Sequence, residues 1–275
     1  MNKIGVLGNP ISHSLSPAMH TKAIEHLGLE LKFEKWELEE KDLHDFFTQL
    51  DKNQIIGGCI TVPYKETVLS FISSRDESVE YIGAANWFKV VEGNIQGFNT
   101  DHLGFINSLP SELLNNIKDI RVVVIGAGGS SKAVIHGLVS NGCSNITIIN
   151  RTLQNAKKIS KKYKNISINS IILTDQLKIR YIEEADLIVN TTTLGMSTGP
   201  DPDNAIIQNI PVKNTVTGID LVYAPVQTPF LKYVKGLGGT TINGIPVLIN
   251  QGIAGLNWIT GLSCPYKIMK DAISS

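Results

Sequence analysis

The sequence predicts an α/β protein of two domains, each carrying a mostly parallel sheet. Two observations carry this. Short β-branched runs alternate with amphipathic stretches almost from end to end, the pattern of βα units. The chain also has 275 residues, more than one domain usually holds.

The elements follow in order. KIGVLG is a first strand, followed by the loop NPISHSL. A helix then starts with Ser16 as N-cap and Pro17 at the first helical position. It places Met19, Ala23, Ile24 and Leu27 on one face, and Gly28 closes it. LKFEKWEL is a strand, and DLHDFFTQL, with Leu43, Phe46, Phe47 and Leu50, is a helix. IIGGCITV is a strand buried on both faces that ends at a loop holding Lys65. NWFKVVEGNIQGF is a hairpin turning at Glu92-Gly93-Asn94, after which TDHLGFINSL begins a helix.

From Arg121 the segment RVVVIGAGGSSKAVIHGLVSNGCSNITIIN holds strand, glycine loop, helix and strand within about 30 residues, one βαβ unit. Strands follow at ADLIVN, VTGIDLVY and TTIN. From Gly244 the chain is two helical stretches, one opened by Pro265. These elements predict a first domain of residues 1–100 plus 244–275 and a second of residues 101–243. A chain that leaves a domain and returns creates a cleft between two lobes, where ligand sites concentrate.

Composition narrows the function. The formal net charge is zero with acids and bases interspersed, which argues against nucleic-acid or anionic-membrane partners, since both need a basic face. The three cysteines, Cys59, Cys143 and Cys264, form no CxxC pair and fit reduced thiols. The apolar run at the N-terminus is too short for a secretory core, and no stretch approaches the roughly 18 apolar residues of a membrane span. A soluble cytoplasmic protein is expected. HExxH and P-loop spacings are absent, and no metal site is predicted. The six histidines, His13 and His20 among them, are expected as polar loop and helix residues.

Within GAGGSSKA, residues 126–133, Gly126 permits a tight turn and Gly128 lets a pyrophosphate approach the helix N-terminus. Ser131 stands where a third glycine is usual, and Ala133 is small enough for close helix packing. Taken alone, such a loop could equally be a βα turn that binds nothing. About 20 residues on, where an NAD-specific domain carries a carboxylate, the chain has Asn150-Arg151-Thr152. A guanidinium there binds a 2′-phosphate that a carboxylate would repel, so a Rossmann-like domain selecting NADP is expected; the alternative for Arg151 is a solvated surface charge.

In the first domain, Ser14 and Ser16 could bind a small carboxylate or hydroxyl, or serve as helix-capping groups. Asp101 could serve a site or simply charge a helix N-terminus. Thr61, Lys65, Asn86, Asn99 and Asp101 all fall at strand ends or hairpin edges, and it is this recurrence that draws attention to Lys65 and Asp101.

The chain resembles the shikimate dehydrogenase family along nearly its whole length. The resemblance rests on SHSLSP at 12–17, TVPYK at 61–65, GAAN at 83–86, NTDHLG at 99–104, GAGGSSKA, NRT at 150–152, NTTTLGM at 190–196, DLVYAPVQTPFL at 220–231 and NGIPVLINQ at 243–251. It implies an N-terminal α/β substrate domain and an NADP-binding domain that together catalyse reversible hydride transfer between NADPH and 3-dehydroshikimate, in the route to chorismate and the aromatic amino acids. Lys65 would be the general acid and base, with Asp101 orienting it. Ser14 and Ser16 would hold the substrate carboxylate with Tyr223 nearby; Thr61, Lys65, Asn86, Asp101 and Gln251 would contact the ring hydroxyls and the reacting carbon. Gly126, Ala127, Gly128, Gly129, Ser130 and Ala133 would bind NADP with Asn150, Arg151, Thr152 and Thr191, while Met196, Val222 and Gly244 would lie near the nicotinamide. The small-molecule substrate, no nucleic acid or membrane, and a monomer or homodimer complete the expectation. Thr21, Cys59, Trp87, Asn155 and Val247 depart from the family pattern. A quinate-active or NAD-using relative, and a non-catalytic NADP sensor on the same fold, are the alternatives.

Overall fold

The structure, a computed structural model, describes residues 1–164 and 166–274. Its contacts divide the chain into two compact units, one of Met1–Gly104 with the stretch from Leu248 onward, the other of Phe105–Val247.

The first unit opens with β1 (Asn2–Gly8), α1 (Ser16–His26), β2 (Leu31–Glu37), α2 (Leu43–Thr48) and β3 (Ile55–Ile60). It continues through β4 (Ser74–Arg75), α3 (Glu77–Ile82), β5 (Trp87–Val91), β6 (Asn94–Phe98) and the start of α4 (Asp101–Ile106). Its six strands lie in the order β2-β1-β3-β5-β6-β4. β1 pairs parallel with β2 and β3, and β4 with β6, while β5 runs antiparallel to both β3 and β6. The β5–β6 hairpin closes on Val91 opposite Asn94, with Glu92 and Gly93 both at positive φ, the turn whose twist matches the strands. Leu7, Phe47 and Phe88 bury one face; Val6, Ile11, Cys59 and Trp87 fill the other.

α1 begins one residue earlier than the capping pattern suggests. Leu15 is the N-cap and makes no side-chain cap bond, so Ser16 lies inside the first turn, where its backbone N–H donates to Ser14 Oγ at 3.3 Å. The helix ends as expected, with Gly28 in the left-handed region after Leu27.

The second unit carries α5 (Ser111–Asn115), β7 (Arg121–Ile125), α6 (Gly129–Ser140), β8 (Asn145–Asn150), α7 (Leu153–Ser160), β9 (Asn169–Ile172) and α8 (Leu177–Glu183). Then come β10 (Leu187–Asn190), β11 (Thr217–Asp220), α9 (Pro229–Gly236), β12 (Thr240–Ile242) and the first turn of α10 (Ile245–Thr260). α11 (Tyr266–Asp271) belongs to the first unit and packs on α1. Pro265 is its N-cap and opens it, as the sequence suggests.

The second sheet is parallel throughout, in the order β12-β11-β10-β7-β8-β9. Along β7, Val122 and Val124 face one core while Val123 and Ile125 face the other, the alternation of a strand covered on both sides. The strand order reverses between β7 and β10, and in such sheets ligands bind at the carboxyl ends of strands at that reversal. The loops that follow β7, β8, β10 and β11 therefore hold the positions of interest in this unit.

Candidate active site

In the first unit, a group of polar side chains meets at the ends of β3, β5 and β6. Tyr64 is anchored by its hydroxyl to Leu38 O at 2.6 Å, and the backbone O of Lys65 accepts from Ala85 N at 2.8 Å, so the loop after β3 is held against the residue before Asn86. Lys65 Nζ then donates to Asp101 Oδ2 at 2.5 Å. The other oxygen of Asp101 accepts from Asn86 Nδ2 at 2.7 Å, which fixes the carboxylate between an amide and an ammonium. Asn99 sets the backbone beneath, since its Oδ1 accepts from Asp101 N at 3.1 Å and its Nδ2 donates to Ala84 O at 2.9 Å.

Lys65 and Asp101 keep about a third and a quarter of their side chains exposed, so both charges remain reachable from solvent. Behind them, Asn86, Thr100 and Gln251 are buried. Asn86 Oδ1 accepts from Thr100 N at 2.7 Å, and Thr100 Oγ1 donates to the backbone O of Gln251 at 3.0 Å, tying the β6–α4 corner to α10. The sequence passes over Thr100. Its position between Asn99 and Asp101 is the signal available, because a run of polar residues ending a strand has no core role.

Thr61 is half-buried at the end of β3, and its backbone N donates to Leu7 O at 2.8 Å. Ser14 is half-buried and Ser16 buried. Cys59, beside them, has its thiol pushed up to about 12 by burial and stays protonated and uncharged. The arrangement offers an ammonium, Lys65, next to a fixed anion and several neutral hydrogen-bonding groups. That set suits a small polar substrate whose oxygen gains and loses a proton.

The second unit gathers the glycine loop and its neighbours. Gly126 has φ of +111°, and a Cβ there would lie 2.4 Å from Thr191 Oγ1, so only glycine fits. At Gly128 and Gly129 a Cβ would meet nothing within 4 Å: the backbone at the start of the twelve-residue α6 faces open space. Together with the unpaired N–H groups of that helix end, this cradle fits a pyrophosphate. Ser131 is fully buried and donates to Gly126 O at 2.9 Å, so the residue in the third-glycine place braces the loop as well as packing. Ala133 is buried, while Ala127 and Ser130 stay accessible.

At the end of β8, Asn150 Nδ2 donates to Thr152 O at 2.8 Å and shapes the turn; Arg151 and Thr152 are exposed. Thr191, after β10, donates through Oγ1 to Ile125 O at 2.7 Å. Burial raises the carboxyl pKa of Asp220. The carboxylate accepts from Thr228 Oγ1 at 2.6 Å, Val222 N at 3.0 Å and Asn190 Nδ2 at 3.1 Å, which pins the loop carrying Val222 and Tyr223. Gly244 N donates to Val222 O at 3.1 Å, and a Cβ at Gly244 would collide with Leu221 O. Met196, half-buried, lies in the loop after β10. Tyr223 thus sits in the second unit, whereas Ser14 and Ser16 sit in the first.

Two family models match the chain: "Shikimate dehydrogenase substrate binding domain" over residues 6–88 and "Shikimate / quinate 5-dehydrogenase" over residues 108–199. The chain is 38% identical to the shikimate dehydrogenase (NADP(+)) of Prochlorococcus marinus strain MIT 9515, covering 98% of this chain and 96% of that one. It is 37% identical to the enzyme of the same name from Methanococcus aeolicus, again over 98% and 96%. Among solved structures, shikimate 5-dehydrogenase from Thermus thermophilus in complex with NADP(H) and shikimate superposes with a TM-score of 0.81 at 31% identity, over 99% of this chain and 98% of that chain.

Proposed function

Because the chain belongs to the shikimate dehydrogenase family, we infer that it catalyses the reversible NADP-dependent reduction of 3-dehydroshikimate to shikimate, a step toward chorismate and the aromatic amino acids. The observation that carries the chemistry is the 2.5 Å pairing of Lys65 with Asp101 in a partly open site.

NADP(H), when bound, supplies or accepts the hydride. Everything else falls to side chains. As negative charge develops on the ketone oxygen, the Lys65 ammonium stabilises it and delivers the proton that completes the alcohol; in the reverse direction the amine takes that proton back. Asp101 holds the ammonium in place and accepts from a ring hydroxyl, with Asn86 fixing the carboxylate in turn. Ser14 and Ser16 hold the substrate carboxylate, Tyr223 is a further substrate contact, and Thr61 and Gln251 bind ring hydroxyls. Gly126, Ala127, Gly128, Gly129 and Ser130 receive the pyrophosphate, with Ala133 packing the helix behind them. Asn150, Arg151 and Thr152 take the adenosine ribose and its 2′-phosphate, Thr191 is a further NADP contact, and Met196, Val222 and Gly244 lie at the nicotinamide end. In the same reading the protein works in the cytoplasm, where its three buried free thiols stay reduced, as a monomer or homodimer.

Purified protein mixed with shikimate and NADP should generate reduced cofactor, followed by its absorbance. Absence of turnover with intact cofactor binding would point instead to an NADP-sensing protein.

A further inference from the structure

Gln251 is buried on α10, and its side-chain amide has one orientation only. The reason is Trp87. An indole N–H can donate but never accept, and Trp87 Nε1 lies 3.3 Å from Gln251 Oε1. The amide oxygen must therefore face the indole. At its other end, Gln251 Nε2 donates to the carbonyl of Leu248 at 2.9 Å, a group that can only accept. The two contacts agree, and turning the amide over would set N–H against N–H and oxygen against oxygen.

Two other donors approach the same oxygen, but each has a better acceptor. Asn86 Nδ2 lies 3.3 Å from it and is 2.7 Å from Asp101 Oδ1 and 3.0 Å from Thr100 Oγ1, which use its two hydrogens. Thr100 Oγ1 lies 3.4 Å away and spends its one hydrogen on Gln251 O at 3.0 Å. Among the described residues, only for the indole is Gln251 Oε1 the sole acceptor.

The indole itself cannot move. Trp87 is fully buried and meets the ring of His20 edge-on, with centroids 5.3 Å apart; His20 in turn stacks on Phe33 at 4.9 Å. Gly255 also lies against it, where a Cβ would fall 1.9 Å from Cε2 of the indole.

We propose that Trp87 is a positioning residue: its N–H locks the Gln251 amide so that the one uncommitted N–H of Nε2 serves the substrate as a donor, and Gln251 acts on an oxygen acceptor rather than a hydroxyl proton. This rests on the assignment of Gln251 to the substrate site.

The test is a double-mutant cycle on the full-length enzyme. Trp87→Phe keeps an aromatic ring and removes the N–H. It should raise KM for shikimate about 3- to 10-fold, leave the Kd for NADP unchanged, and cause no further rise when added to Gln251→Ala. An additive penalty in the double variant, or an unchanged KM in folded Trp87→Phe, would overturn the proposal. A second measurement needs no variant. Of the two side-chain N–H signals of Gln251 in the wild-type enzyme, the one bonded to Leu248 O should exchange slowly with solvent and stay distinct from the other; rapid exchange of both means there is no lock. Wild-type turnover, assayed alongside, reports separately on the activity: a silent enzyme with a protected Gln251 amide would overturn the functional assignment and keep the lock.

Discussion

Lys65 Nζ lies 2.5 Å from Asp101 Oδ2, while Asp101 Oδ1 accepts from Asn86 Nδ2 at 2.7 Å. One carboxylate therefore orients the ammonium and is itself oriented by a buried amide, so the ammonium has a defined place before any substrate arrives.

Lys65→Ala removes the group we propose as proton donor. kcat should fall by about 10²- to 10⁴-fold with the Kd for NADP nearly unchanged, the range for a positioned acid or base. Unchanged turnover would remove Lys65 from the chemistry.

Asp101→Asn leaves one oxygen where two donors, Lys65 and Asn86, each had their own. One of them must face an N–H. We expect kcat to drop by about 10²-fold, comparable to losing a proton-transfer partner, with normal cofactor affinity by calorimetry. A variant as fast as wild type would mean the pairing does not matter for turnover.

Arg151→Ala should weaken NADP binding by about 1.5–3 kcal/mol, the worth of a hydrogen bond to a charged group, and leave NAD binding where it was. The discriminating quantity is the ratio of the two dissociation constants. Equal losses for both cofactors would contradict a 2′-phosphate contact.

Gly126→Ala should cost about 1–3 kcal/mol in backbone strain, because its φ is +111°, and would also drive a methyl group into Thr191. Lower thermal stability and lost NADP affinity are expected together. A stable variant that binds NADP normally would show the loop to be more adaptable than its geometry indicates.

His20 makes a prediction in pH. Burial lowers its pKa from 6.5 to about 3, so the folded protein keeps the ring neutral where the unfolded chain takes up a proton. Stability linked to this residue is complete above pH 6.5 and falls as the pH drops from there toward about 3, by up to ~1.4 kcal/mol per pH unit. Urea midpoints measured between pH 7 and pH 4 should decline less steeply in His20→Leu than in wild type. Equal slopes would place the acid sensitivity elsewhere.

His20 also marks where sequence reasoning stops. Its residue type suggests a polar helix position, yet both ring nitrogens are buried with no hydrogen-bond partner among the described residues, against Phe33 and Trp87. That outcome depends on partners 13 and 67 positions away, which local pattern cannot supply. The second sheet was far more legible, because β7 to β8 carries its own strand, turn and helix periods in one continuous segment. β9, by contrast, is four residues long and opens with Asn and Ser, too short and polar to stand out. In the site, Lys65 and Asp101 were visible as charges at strand ends. Their pairing through Asn86, the buried Thr100 behind them and the single orientation of Gln251 arise only when β3, β5, β6 and α10 come together.

The indole of Trp87 occupies the volume that any side chain at position 255 would need. Positions 87 and 255 are therefore free to drift only as a couple: a bulkier residue on the helix becomes tolerable once the strand residue has shrunk, and never before. Directed evolution that randomises position 255 while Trp87 is retained should return glycine almost alone, whereas joint randomisation opens routes that single steps cannot reach.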